Sequence, residues 1–205
     1  MKKLLLIIML LSIGLIPLFA ERTILIQAAY LNTNRITTSP TEQNKANFSE
    51  AGINITSFMG KKLGFYTSVS FLFPFNMRER VNGIDSGMSL NNFGNLTIGL
   101  DALLGIGFKV PVTPGISILF AGGLHFNGIA LKTADIAYDS YLKYNLGPGL
   151  AINALFNITN RFNFNIGAQG AWDMIEFYTI PDLASDENAK GGLTWGLSAG
   201  FGFIY

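Results

Sequence analysis

Cysteine is absent from this 205-residue chain, and charged residues are scarce. Without cysteine the chain has no disulfides, no thiolate metal site and no lipid-modified N-terminal cysteine. Charged side chains make up 13% of the residues, whereas an average soluble domain has roughly 25%. The formal net charge of +1 provides no basic surface for nucleic acid. These absences exclude a disulfide-stabilised domain and argue against a nucleic-acid-binding protein.

The chain has one long apolar run, at its N-terminus. Two lysines precede the run Leu4–Ile16, Pro17 ends it, and Ala20 follows as a candidate cleavage position. This order of a positive start, an apolar run and a cleavage site predicts a signal peptide over residues 1–20. The run is short for a spanning helix, which argues against the alternative of an uncleaved membrane anchor. We therefore expect an exported domain over residues 21–205.

After Ala20 no apolar run is long enough for a membrane-spanning helix. The most apolar segments, such as Ile116–Leu124, last about nine residues, which is the length of a tilted membrane strand. Apolar residues nevertheless make up 49% of the chain. A closed barrel is the other structure that pairs every backbone polar group in lipid. The exported domain is therefore expected to be a membrane β-barrel.

Alternation with a period of two residues is the main pattern in the sequence. In the last segment Leu193, Trp195 and Leu197 share one face, while Thr194 and Gly196 share the other. Such alternation indicates strands with one apolar and one polar face. It is less regular in the first two of the eight segments. The segments are about 23–31, 50–59, 65–75, 96–110, 116–127, 142–156, 162–174 and 193–205.

The connections between these segments alternate in length. Short connections lie around 60–62, 111–115 and 157–160, and longer polar ones around 32–49, 76–92, 131–140 and 179–191. Short inner turns, longer outer loops and an even strand number are typical of outer-membrane barrels. The sequence therefore predicts an all-β fold: an eight-stranded antiparallel up-and-down transmembrane barrel that follows the signal peptide.

The two faces of the strands differ in side-chain size. In the last five strands the polar face is rich in glycine, whereas leucine, isoleucine and phenylalanine dominate the other face. An eight-stranded barrel has room inside only for side chains, so the small residues are expected to face inward and the bulky ones to face lipid. A soluble, lipocalin-like barrel with its apolar face inward is the alternative. It would have an outer surface short of charge, which makes it a poor soluble protein.

The C-terminal segment carries a resemblance to a known class. It ends in an aromatic residue with apolar residues two and four positions before it, at Phe201, Phe203 and Tyr205. This looks like the C-terminal signal of outer-membrane barrels, and it implies recognition by the barrel-assembly machinery. The layout of residues 21–205 is similar to the small barrels of the OmpA-transmembrane, OmpX and OmpW type. The resemblance implies a location in the bacterial outer membrane, contact with its lipids and a monomeric barrel.

The only histidine, His125, faces inward by strand parity. If Val110 pairs with Ile116 across the turn, Asp101 lies directly opposite His125. One interpretation is a catalytic or pH-sensing pair. The other, which we prefer, is a structural polar plug in a narrow barrel, because no serine, histidine and acid share the lipid face.

Lys143 and Asp173 also face inward, on neighbouring strands. Either charge would be costly in a dry interior without a partner, so an ion pair between them is one possibility and contact with water the other. The sequence contains no cluster of metal ligands, and we expect no cofactor.

We expect the protein not to be an enzyme, and an enzymatic role ranks third behind two other functions. The first is a structural or surface-binding role through the extracellular loops, which could bind host or other surface ligands or could simply be hydrophilic caps. The second is an OmpW-like conduit for small hydrophobic molecules. Its lining would be four apolar residues that face inward by parity: Leu103, Leu119, Leu155 and Ile175.

Overall fold

The structure is a computed structural model that describes residues 21–38, 43–87, 90, 93–133, 141–179, 188–189 and 192–205. The predicted signal peptide, residues 1–20, lies outside the described residues. Across the described ranges, no helix has the length and apolar character needed to cross a bilayer.

The described chain is built from antiparallel strands. Eight long ones form the wall: β1 (Arg22–Thr38), β2 (Gln43–Met59), β3 (Leu63–Val81), β5 (Phe93–Thr113), β6 (Ile116–Thr133), β7 (Tyr141–Asn157), β8 (Phe162–Asp173) and β11 (Gly192–Ile204). Three short ones extend it: β4 (Ile84–Asp85) pairs with β3, β9 (Ile175–Thr179) pairs with β7, and β10 (Asn188–Ala189) pairs with β1.

The wall closes on itself. Each long strand pairs with the next along the chain, and β11 pairs with β1 from Thr23–Ile204 to Asn34–Leu193. The start of β1 and the end of β11 therefore lie together at the rim of the short turns. There the backbones of Arg22 and Tyr205 form hydrogen bonds with each other. The predicted eight-stranded up-and-down barrel is confirmed.

The predicted orientation of the two faces is also confirmed. Many large apolar side chains are exposed and alternate along the wall, as at Leu193, Trp195 and Leu197 on β11. Between them, Thr194 and Gly196 point inward and are buried. A surface of this kind is unfavourable in water and favourable against acyl chains.

The strands are longer at their outer ends than the sequence pattern indicated. The predicted loop 32–49 is mostly paired backbone, because β1 and β2 continue to Thr38 and Gln43. The predicted loop 76–92 likewise begins with the end of β3, which continues to Val81. The polar composition of segments 32–49 and 76–92 misled the prediction, since outside the bilayer both faces of a strand can be polar. At the opposite rim, the β5–β6 turn is also shorter than predicted and is only residues 114–115.

Side chains fill the described lumen in three layers. The periplasmic apolar layer, nearest the short turns, contains Leu25, Phe58, Tyr66, Leu103, Leu119, Ala121, Ala151 and Leu155. The outer apolar layer, nearest the long loops, contains Ala46, Phe48, Met77 and Ile129, with Leu90 packed against it. Between them lies the polar layer, which contains the candidate site.

Candidate functional site

His125 on β6 lies between two aspartates of other strands. Its Nε2 atom is 2.6 Å from Oδ2 of Asp101 on β5, and its Nδ1 atom is 3.1 Å from Oδ1 of Asp173 on β8. All three residues are buried, with at most 2% of each exposed. A neutral imidazole has one N–H donor, so donation to two ionised carboxylates requires the doubly protonated ring. We call these three residues the lumen triad.

The register that places Asp101 near His125 differs from the predicted one. Asp101 is opposite Asn127, and His125 is opposite Leu103, because the tight turn pairs Val110 with Ile118. The predicted face-to-face pairing is therefore wrong by two residues. The side chains still meet, because diagonal neighbours on one face of a sheet are within reach of long side chains.

Of the two possibilities for Lys143 and Asp173, the backbone pairing does not favour the ion pair. The backbone of Lys143 lies opposite Tyr178 on β9, five residues beyond Asp173, so the two residues are not direct cross-strand neighbours. The side chain of Lys143 is outside the described side chains. Asp173 instead contacts His125 and accepts a hydrogen bond of 2.7 Å from the Thr194 hydroxyl.

Each carboxylate oxygen of the triad has a partner. Asp101 Oδ1 accepts a bond of 2.7 Å from the amide of Gln169, and its Oδ2 faces His125. In Asp173, Oδ1 faces His125 and Oδ2 accepts the bond from the Thr194 hydroxyl. Sequence reasoning missed Gln169 and Thr194 as partners, although inward parity placed both in the lumen. The triad is a buried, satisfied network.

A second polar network crosses the lumen beside the triad. Gln27 on β1 donates to Asn153 on β7 at 3.1 Å and to Ser198 on β11 at 2.9 Å. Asn54 on β2 donates to Ser68 and Ser70 on β3 at 2.7 and 2.8 Å. Sequence reasoning missed this network because the first two strands alternate less regularly.

A third carboxylate, that of Glu50 on β2, is buried in the same part of the lumen. It lies against Gly99 on β5, where a side chain would collide with it. Glycine at the inward position 99 thus provides the space for this glutamate. Strand parity could have assigned Glu50 to the lumen, but Glu50 was the first residue of the predicted second strand, where the assignment of faces is weakest.

Three of the four predicted apolar lining residues face the lumen. Leu103, Leu119 and Leu155 are buried in the periplasmic apolar layer. The prediction for Ile175 is wrong, since this side chain is 49% exposed. The ladder is interrupted at Met174, between β8 and β9, so Met174 and Ile175 both face outward and the parity changes.

The C-terminal aromatic residues lie on the lipid-facing wall. Phe201, Phe203 and Tyr205 are exposed, and Phe162 stacks on Phe201 with ring centroids 5.5 Å apart. Their role in recognition by the assembly machinery stays a prediction. Over the residues with described positions, no group of three or more His, Cys, Asp or Glu is arranged to hold a metal ion.

An apolar exterior, a closed antiparallel wall and a lumen filled with polar and apolar side chains define the fold of a small outer-membrane β-barrel. Comparison with solved structures agrees with this class. The solid-state NMR structure of the outer membrane protein AlkL in DMPC lipid bilayers has a TM-score of 0.57 at 10% identity, covering 91% of this chain and 90% of that one.

Two crystal structures are similar to the same extent. The outer membrane protein OprG from Pseudomonas aeruginosa has a TM-score of 0.56 at 15% identity, covering 91% of this chain and 96% of that one. Neisserial surface protein A has a TM-score of 0.53 at 11% identity, covering 90% and 97%. Identities this low show a shared fold alone. No family model matches the chain, and no curated protein matches it.

Proposed function

We propose that this protein is an outer-membrane barrel with a structural or surface-binding role, exerted through its extracellular loops rather than through a wide pore. The observation that carries the proposal is the bonding across the lumen. Gln27 on β1 reaches Asn153 on β7, and Gln169 on β8 reaches Asp101 on β5. Bonds between non-adjacent strands obstruct a water-filled path and make the barrel rigid.

The proposal includes the route to the membrane. Residues 1–20 direct export and are removed near Ala20, and the assembly machinery reads the C-terminal aromatic residues. The mature chain then inserts as a monomer in contact with outer-membrane lipid. A rigid wall of this kind suits the display of loops, because binding residues are commonly placed on loops that a scaffold holds in position.

An epitope tag tests which rim faces the outside. Inserted between Asn82 and Gly83, in the exposed turn after β3, the tag should be accessible to antibody on intact cells. The matched insertion lies between Thr159 and Asn160 in the exposed turn after β7, and it should be stained only after permeabilisation. Reversed staining would contradict the orientation and with it a surface role.

An OmpW-like conduit is the alternative, and one observation favours it. A groove of about 620 Å³ opens on the lipid-facing wall over β5 to β8, lined by apolar side chains such as Ile106, Phe108 and Leu150. Its floor includes Gly107 and Ala121, which also border the periplasmic apolar layer on the inside. Small residues therefore separate the groove from the periplasmic apolar layer at this place.

Transport measurements separate the two functions. The native protein should show no reproducible single-channel steps in planar bilayers, and it should not accelerate the passage of an apolar fluorescent dye across vesicle membranes. If dye passage does occur, Gly170→Phe should stop it under the conduit hypothesis, because position 170 lines the groove and has room for a side chain.

Leu124→Phe is the matched control, since Leu124 is an exposed wall residue that does not line the groove. Dye passage that Gly170→Phe stops and Leu124→Phe leaves intact would replace the structural proposal with the conduit. Reproducible conductance steps would also count against the structural role.

A further inference from the structure

Three basic residues share one outward patch at the outer ends of β2 and β3. Lys45 pairs with Arg80 across the two strands, and the next outward position pairs Asn47 with Arg78. All three cationic side chains are exposed. Residues that are directly opposite in a sheet point to the same face, so the three charges lie side by side on the outer wall. We call Lys45, Arg78 and Arg80 the basic wall patch.

A β-bulge in β3 is what aims the arginines outward. Before the bulge the even positions face inward, as buried Ser70 and Leu72 show. The register shifts at the bulge, where Glu50 pairs with Pro74 and Ser49 with Asn76. Beyond it the odd position Met77 is buried, so the even positions of both arginines face outward. Without the extra residue both guanidinium groups would enter the lumen.

Exposed aromatic residues lie directly below the basic wall patch. Phe73 and Phe75 on β3 are exposed, and Tyr30 on β1 contacts Phe75 and Trp195 with ring centroids 6.2 and 5.6 Å apart. Tyrosine and tryptophan collect at membrane–water interfaces. Arg78 is five residues beyond Phe73 along β3, which is about 17 Å of strand and less in height because membrane strands are tilted.

The side chains between the exposed aromatic residues and the basic wall patch are polar. Asn32 and Asn47 exchange hydrogen bonds of 3.1 and 2.9 Å, and Asn32 also donates to Ser49 at 3.2 Å. These side chains are outward-facing amide and hydroxyl groups above a lipid-facing wall. The chemistry of the wall thus changes from hydrocarbon to aromatic, to amide and then to cation along the same strands.

One carboxylate, that of Asp85, shares the face of the three cations. Across the part of the chain that the structure describes, none of the three cations forms an ion pair. Asp85 on β4 is opposite Arg80, and its carboxylate accepts a bond from the backbone of Gly87. Glu79 lies between the arginines on the other face, and its carboxylate accepts a bond from Ser86. Two of the three cations thus have no acidic residue directly opposite.

We propose that the basic wall patch binds the phosphate groups of anionic lipid headgroups in the outer leaflet. The patch faces sideways from the wall, immediately above the interfacial aromatic residues, and this space belongs to lipid headgroups. Guanidinium groups match phosphate oxygens in shape and charge. The inference rests on the membrane placement of the barrel, but it is independent of whether the loops or a conduit provide the function.

Vesicles of defined composition test the proposal. The native barrel is folded into phosphatidylcholine vesicles with and without diphosphoryl lipid A, and its unfolding midpoint in urea is followed by tryptophan fluorescence. Lipid A should raise the midpoint of the native barrel. The variant K45Q/R78Q/R80Q should lose most of this shift while keeping the native midpoint in pure phosphatidylcholine.

The matched control removes three exposed cations from the opposite rim, in the variant K61Q/K62Q/R161Q. It should keep the shift, although lipid A is present in both leaflets. Equal loss in both variants, or retention of the shift by K45Q/R78Q/R80Q, would overturn the proposal. So would an equal shift caused by soluble inositol hexakisphosphate in pure phosphatidylcholine and lost in the same variant, since the ligand would then be a dissolved anion. If these unfolding measurements contradict the lipid-binding proposal, the results of the tag and transport experiments still test the proposed function independently.

Discussion

Replacing His125 with alanine is expected to lower the free energy of unfolding of the barrel by about 3–5 kcal/mol, the usual cost of breaking a buried charged network by removing one partner. The native ring contacts Asp101 at 2.6 Å and Asp173 at 3.1 Å. Its removal leaves two buried carboxylates facing an empty space, with the Glu50 carboxylate in the same part of the lumen. We still expect the variant to assemble, because the wall hydrogen bonds are untouched.

The loss can be measured by urea unfolding in vesicles. Trp172 and Trp195 are both exposed on the lipid-facing wall, so their fluorescence reports departure from lipid. The triple variant H125A/D101N/D173N should recover most of the stability, because neutral amides do not require a cation between them.

An unchanged free energy of unfolding in His125→Ala, together with loss of a lipid-modifying activity, would contradict the structural interpretation of the lumen triad. A loss that the two asparagines fail to recover would show that packing around the ring, rather than charge, is what stabilises this part of the lumen.

Replacing Gly123 with alanine is expected to cost about 3 kcal/mol, at the upper end for overpacking, and to lower the yield of folded barrel sharply. Gly123 on β6 faces Gly105 on β5 across one cross-strand pair. A methyl group on Gly123 would collide with the backbone carbonyl of Leu104 and the Cα atom of Gly105. A backbone collision can be relieved only by separating the two strands, which breaks the ladder of the wall.

Gly122 provides the matched control for this prediction. It is the adjacent residue and faces lipid. An added methyl group would meet the flexible end of the Leu150 side chain at 3.1 Å and, at an ordinary contact distance of 3.9 Å, the Gly149 carbonyl oxygen. Gly122→Ala should fold with native yield, as judged by retention of the compact, heat-modifiable band in gel electrophoresis. Equal yields for the two variants would show that the close approach of β5 and β6 is not required for closure.

Much of the architecture follows from the alternation of side chains. Parity alone correctly assigned Asp101, His125 and Asp173 to the lumen and the aromatic residues of β11 to lipid. This succeeds because a side chain's face depends only on odd or even position within a regular strand. The same rule assigned Ile175 to the wrong face. It was not applied to Arg78 and Arg80 of β3, because they lay in a predicted loop. An interruption at Met174 and a bulge after Pro74 change the parity there.

Register could not be derived in the same way. The two-residue error between Asp101 and His125 arose from one turn that is tighter than its proline and glycine content suggested. Lys143 lies opposite Tyr178, rather than near Asp173, because β7 pairs with β9 beyond the interruption. Turn length and bulges set the register, and both depend on how neighbouring strands fit together.

The sequence by itself determined the class of fold, the polarity of each face and the chemical content of the lumen, because these depend on residue type and a period of two. Only the tertiary structure decided which lumen residues meet, such as His125 with Asp173 from a non-adjacent strand. It also decided that Arg78 and Arg80 face the membrane side of the wall. Contacts across the axis depend on the stagger and closure of the whole barrel, which no single strand encodes.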